Sequence, residues 1–173
     1  TPGWLTAASP TAPVWQDATA QLDKVVGGDL DRCLIWRDLN LDGKADLVVV
    51  EQPPMPGAKR FAHILIAGPA ETWTLQSAQL PASHSVISCT PGDWDADGDV
   101  DIVLATIGGV RLLRNDAGTY SDTPSAVPAD LKGVLVFSVA VLDFDRDGDH
   151  DFYFARTGEL NLQPGNFSCQ LAD

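Results

Sequence analysis

The chain has 173 residues, enough for one ordinary domain, with 45% hydrophobic residues, 20% charged residues and a formal net charge of −13. Its 11 lysines and arginines are scattered, which leaves no basic patch for nucleic acid, and no apolar run approaches the ~18–20 residues needed to cross a bilayer. The 3 cysteines form neither a C-x-x-C nor a C-x-x-C-H motif, so the sequence gives no support for zinc, redox or haem sites of those types.

Residues 1–13, with three prolines, several small residues and Trp4, read as an extended N-terminal arm. Residues 14–173 divide into three similar units, about 14–76, 77–121 and 122–173. Val14–Thr19 reads as an outer strand that opens the first unit, and Leu30–Trp36 as its inner strand. An acidic loop follows, then a strand over Leu47–Val50, a proline-rich turn over 52–57, and strands over Phe61–Ala67 and Thr72–Leu75. In the second unit Val86–Cys89 leads into another acidic loop. Strands are expected after it at Ile102–Thr106, Val110–Leu113 and Thr119–Tyr120, with a hairpin turn at Gly108-Gly109. Asp122–Lys132, carrying two prolines, is the crossover. The third unit has Val134–Leu142, a third acidic loop, Phe152–Ala155, and closing strands at Leu160–Leu162 and Phe167–Cys169.

The three loops share the pattern D-x-[DN]-x-D-G-x-x-D and begin at 38, 93 and 143, so they recur after 55 and then 50 residues. A repeat at that spacing is the first fact to use about a fold. Oxygens at alternate positions of a tight loop converge on one point, where a hard cation with six to eight oxygen ligands fits, calcium above all. The expected side-chain ligands are Asp38, Asn40, Asp42 and Asp46 in the first loop, Asp93, Asp95, Asp97 and Asp101 in the second, and Asp143, Asp145, Asp147 and Asp151 in the third. The backbone carbonyls of Lys44, Asp99 and Asp149 would add a fifth ligand to each. Up to three calcium ions are therefore expected. The first site should be the weakest, because Asn40 replaces an aspartate and Lys44 lies beside it.

The glycine at the sixth place (Gly43, Gly98, Gly148) lets the chain turn sharply. An EF-hand shares the first half of this pattern but needs a glutamate at position twelve and flanking helices. Here position twelve is Val49, Leu104 or Phe154, and each following run reads as a strand. The loops contain 13 of the 24 acidic residues, so three divalent ions would reduce the net charge to about −7. The large apolar residue at the second loop position (Leu39, Trp94, Phe144) is expected to pack between units and cover the loop.

These loops, the apolar strand after each, and the phrase Leu112-Leu113-Arg114-Asn115-Asp116-Ala117-Gly118-Thr119-Tyr120 resemble the FG-GAP/VCBS repeats of integrin α-subunit propellers and of bacterial secreted proteins, including the ASPIC/UnbV-type group. The resemblance covers roughly Trp15 to the end. The first repeat departs from it at Ile64-Leu65-Ile66-Ala67-Gly68 and the third at Glu159-Leu160-Asn161-Leu162. It implies an all-β fold of about three four-stranded antiparallel β-propeller blades, with calcium between the first two strands of each. Closed propellers hold about four to eight blades, so the ring is expected to continue in residues outside this chain, to be completed by other chains, or to be covered within a larger assembly.

No signal segment stands at Thr1, so any export signal is expected to have been removed or to lie outside this chain. A secreted, periplasmic or cell-surface location is expected, because loops of this kind fill at ~10⁻⁴–10⁻³ M calcium. Cys33 and Cys89 sit five and four residues before the first aspartate of their loops. Neighbouring blades could join them in a disulfide; equally, both fit as small buried residues on inner strands. Of the histidines, His63 reads as a satisfied, partly buried residue, His84 lacks a nucleophile motif, and His150 sits at a non-ligand loop position expected to face solvent. No catalytic residue is assigned. The expected function is a calcium-stabilised extracytoplasmic module binding a protein or glycan partner, with the propeller of a secreted polysaccharide lyase as the alternative.

Overall fold

A computed structural model describes residues 33–51, 59–81, 84–157 and 167–172. The expected N-terminal arm and the strands at Val14–Thr19 and Leu160–Leu162 lie outside them. Eleven strands are present among the described residues: β1 (Cys33–Arg37), β2 (Asp46–Val50), β3 (Arg60–Ala67), β4 (Trp73–Leu80), β5 (Val86–Gly92), β6 (Asp101–Thr106), β7 (Gly109–Asp116), β8 (Thr119–Asp122), β9 (Val136–Leu142), β10 (Asp151–Thr157) and β11 (Phe167–Ala172). They form three antiparallel sheets in the orders β1-β2-β3-β4, β5-β6-β7-β8 and β9-β10-β11. The fold is thus all-β, built of propeller blades. In the third blade β11 pairs directly with β10, so Phe167–Ala172 takes the third place rather than the expected fourth.

The acidic loops join strand to strand, with β1 paired to β2, β5 to β6 and β9 to β10. No helix flanks them, which removes the EF-hand reading. The inner strands β1, β5 and β9 are successive neighbours, and Thr90 Oγ1 donates to the Val139 carbonyl across the second gap at 3.2 Å.

The apolar runs follow from burial on both faces. All five residues of β2 and all six of β6 are buried, so these strands read as continuous hydrophobic runs instead of alternating ones. One core lies between the first two blades, with Ile35, Val48, Val50 and Ile64 facing Val86, Ile102, Leu104 and Leu113. A second lies between the last two, where Val103, Ala105 and Leu112 face Val136, Val139, Phe152 and Phe154. Each fully buried Val or Leu contributes ~1.5–3 kcal/mol. The crossover contains one turn of 3-10 helix, Ala129–Leu131, whose Leu131 plugs this second core. The outer edges are tied as well. Gln76 on β4 donates to the Gly118 carbonyl and accepts from the Tyr120 N–H, clipping the first blade to the β7–β8 hairpin of the second.

Cys33 and Cys89 form a disulfide with Cα atoms 5.8 Å apart, which settles the alternative left open above. Side chains alternate along a strand. Cys33 shares the face of Ile35 and points forward to the second blade. Cys89 is one place out of loop-aligned register with it and therefore points backward, so the two meet in the first core.

Candidate metal centre

The three loops share two left-handed backbone positions. The fourth residue is left-handed although it is not glycine, with φ of 59° at Leu41, 56° at Ala96 and 65° at Arg146. The glycine two places on is also left-handed, at 86°, 93° and 101° for Gly43, Gly98 and Gly148. Non-glycine residues in this region cost of order 1–3 kcal/mol each and persist only where surrounding contacts impose them.

The aspartates supply those contacts. At the first position, Asp38 accepts from the N–H groups of Asp42 (3.1 Å) and Gly43 (2.8 Å). Asp93 accepts likewise from Asp97 (3.2 Å) and Gly98 (2.9 Å). At the third position Asn40 accepts from Asp42 N–H and Asp145 from Asp147 N–H. At the fifth, Asp42, Asp97 and Asp147 each accept from the residue two places on, at 2.9 Å.

The ninth position closes the loop. Oδ2 of Asp46, Asp101 and Asp151 accepts from the N–H of Leu39 (2.8 Å), Trp94 (2.8 Å) and Phe144 (2.5 Å). The other oxygen reaches the third strand of the blade or its end: Asp46 accepts from Ala67 N–H (2.8 Å) and Asp101 from Asn115 N–H (2.7 Å). Asp46 and Asp101 are fully buried. They therefore staple the loop to the sheet while presenting carboxylate charge beneath it.

Three of the expected side-chain ligands converge in each of two loops. Asp93, Asp95 and Asp101 each place a carboxylate oxygen within 4.8 Å of the others, and so do Asp143, Asp145 and Asp151. Oxygens at 2.3–2.6 Å from one ion can lie up to ~5 Å apart, so both sets fit a shared calcium. Like charges at that distance repel by about 3 kcal/mol per pair at an effective dielectric of ~20; a divalent cation reverses the sign. The donors are all oxygen, as a hard cation requires.

The fifth-position carboxylates, Asp97 and Asp147, stand outside these groups. Asp97 lies 3.5 Å from the Arg114 guanidinium, which also pairs with Asp95 at 2.9 Å. In the first loop the Lys44 ammonium stands 3.6 Å from Asp42. Asp99 uses its side chain to accept from Ala117 N–H (2.8 Å), and Asp149 donates its N–H to Asp147.

The electrostatics follow the geometry. Burial pushes the Asp101 carboxyl up to about 6, against the opposing pull of the Asn115 and Trp94 N–H groups. Burial and then the neighbouring Asp97 raise Asp95. Asp42 is lowered, chiefly by the Lys44 N–H. Arg114 is raised by Asp95.

Several site-supporting residues escape motif reading. Asn115 is buried, and beyond its N–H to Asp101 its side chain donates to the Val100 carbonyl and to Tyr120 Oη. It is the asparagine of the Leu-Leu-Arg-Asn phrase, and the arginine of that phrase is the one that reaches Asp95. His150 does not simply face solvent: although exposed, its Nδ1 accepts from Asp93 N–H at 2.9 Å and couples the second and third loops. No spacing rule foretells a contact between residues 57 apart. At the second loop position Leu39 is buried and Trp94 packs 4.7 Å from Phe152, as expected, whereas Phe144 is 65% exposed because no described blade follows it.

The remaining histidines make other contacts. His63 bonds Ser77 Oγ (2.8 Å) and lies 2.9 Å from Glu51. His84 sits beside Gly108 and Arg111 in a small cleft, where burial pushes its imidazole down.

A family model described as FG-GAP-like repeat matches residues 38–104 and again 93–154, each span running from the start of one loop to the strand after the next. No curated protein and no solved structure gives a significant match.

Proposed function

This chain belongs to the FG-GAP-like repeat family, and on that premise we propose that it is a calcium-stabilised extracytoplasmic module that binds a protein partner. Repeats of this family build β-propellers and generally act as extracellular protein-interaction modules. No helix among the described residues is long and apolar enough to cross a membrane, and the Cys33–Cys89 disulfide suits an oxidising compartment.

The observation that carries the reading is the recurrence of one oxygen cluster, from loop positions one, three and nine, on two successive blades. A bound calcium ion would neutralise charge at these clusters. The chain does the rest. Asp93 and Asp101 fix the turn through backbone N–H groups, Trp94 seals the loop against the next blade, and the blades hold the exposed loops in a fixed array for a partner.

Calorimetric titration of the chelated full chain with calcium tests this. Saturable binding with a raised Tm is expected, and Asp95→Ala should remove one site and leave another. A Tm that does not move at millimolar calcium, with no heat of binding, refutes it.

A further inference from the structure

A polar contact runs from the third metal loop to the second. His150 stands at the eighth place of the third loop, directly before Asp151. Its Nδ1 accepts from the Asp93 N–H at 2.9 Å, which leaves the ring proton on Nε2. Asp93 belongs to the oxygen cluster of the second loop and Asp151 to that of the third. One hydrogen bond therefore ties a donor of one cluster to the chain neighbour of a donor of the other. The eighth place of the second loop is Val100, buried in the first core, and its side chain offers no acceptor to the first loop. A second link runs beside the first. Trp94, directly after Asp93, packs on Phe152, directly after Asp151, with 4.7 Å between ring centroids.

We infer that His150 is a positioning residue through which each of these two loops, when it holds its ion, favours cation binding at the other. The inference rests on the calcium reading proposed above. Gathering Asp143, Asp145 and Asp151 on one ion fixes the backbone beside His150. The imidazole then holds the Asp93 N–H from outside the second loop, while the N–H groups of Asp97 and Gly98 hold the Asp93 carboxylate from inside it at 3.2 and 2.9 Å. Part of the ordering that the second loop needs is thus complete once the third is filled. Thermodynamic linkage makes the effect reciprocal. Two divalent ions on neighbouring loops also repel, which by itself gives coupling of the opposite sign. The hydrogen bond is what His150 adds to that balance, and it can be measured apart from the repulsion.

Proton–nitrogen NMR of the full chain, titrated with calcium out of chelator, reads the two sites separately, with the Gly98 amide reporting the second loop and the Gly148 amide the third. Asp145→Ala, which empties the third loop, should weaken the second site, and Asp95→Ala, which empties the second, should weaken the third. Each loss should be about fivefold larger with His150 intact than in His150→Ala, the scale of one net hydrogen bond. The same charge is deleted in both backgrounds, so this ratio isolates the contact, and it should be equal in the two directions. His150→Asn, whose Oδ1 acceptor lies as many bonds from Cα as Nδ1 does, should keep the ratio, whereas His150→Gln, one bond longer, should lose it. A ratio of one, unequal ratios in the two directions, or an Asn variant that behaves like Ala overturns the inference and leaves the calcium reading standing. Absence of any shift at both glycines in millimolar calcium overturns the two together.

Discussion

Consider thermal unfolding of the full chain between about pH 4 and pH 7, once in chelator and once in millimolar calcium. Without a cation, burial holds the Asp101 carboxyl at about 6, against ~3.9 in an unfolded chain. The folded state then binds the proton more tightly than the unfolded state. That contribution to stability is present below ~4 and is lost as the pH rises through ~6. Two pH units at ~1.4 kcal/mol each give about 3 kcal/mol. Asp101 is 0% exposed, so little is removed by solvent screening. For a chain of this size that corresponds to a fall in Tm of roughly 6–12 °C between the two ends of the range. Asp95 is pushed in the same direction and Asp42 in the opposite one.

In calcium the slope should reverse. The cation favours the ionised carboxylate, the folded-state affinity for the proton falls below the unfolded value, and stability rises with pH across the same window. Asp101→Asn, which cannot ionise, should flatten most of the slope in chelator. Differential scanning calorimetry at fixed ionic strength measures both series. Slopes of the same sign with and without calcium, or an unchanged chelator slope in the Asn variant, would refute the assignment of this buried carboxyl to the metal site.

Three further outcomes are expected. The disulfide closes a loop of 56 residues, for which chain entropy gives about 4 kcal/mol; Cys33→Ser should lower the denaturation free energy by that order, and an unchanged midpoint would mean the bridge does not form. Arg114→Gln removes a guanidinium 2.9 Å from Asp95 that competes with the cation, so calorimetry should show tighter calcium binding; weaker binding would show that Arg114 supports the site. Trp94→Ala loses its packing on Phe152 and Phe154 and should cost about 3 kcal/mol in denaturant unfolding, while Phe144→Ala, at a side chain that is 65% exposed, should stay within about 0.5 kcal/mol; equal costs would contradict the blade order.

The Asp-rich loops and the strands beside them were legible because their chemistry is local. Alternate oxygens, a glycine at the sixth place and a β-branched run such as Leu47–Val50 lie within a dozen residues of each other, so covalent spacing alone brings them together. Strand ends were harder. Thr72–Leu75 continues to Leu80 as β4, because Ala78 and Leu80 are held by register with Ala62 and Arg60 and not by their own pattern.

The sequence by itself determined the repeat, the all-β class and the acidic loops between the first two strands of each blade. Tertiary structure decided which of their oxygens meet and what braces them. Asp101 finds Asn115 fourteen residues away, His150 finds Asp93 in another blade, and Cys33 finds Cys89 only because adjacent blades turn opposite faces toward each other. These pairings depend on how one sheet is rotated onto the next, a quantity set by the shape of the packed core between blades and not by spacing along the chain.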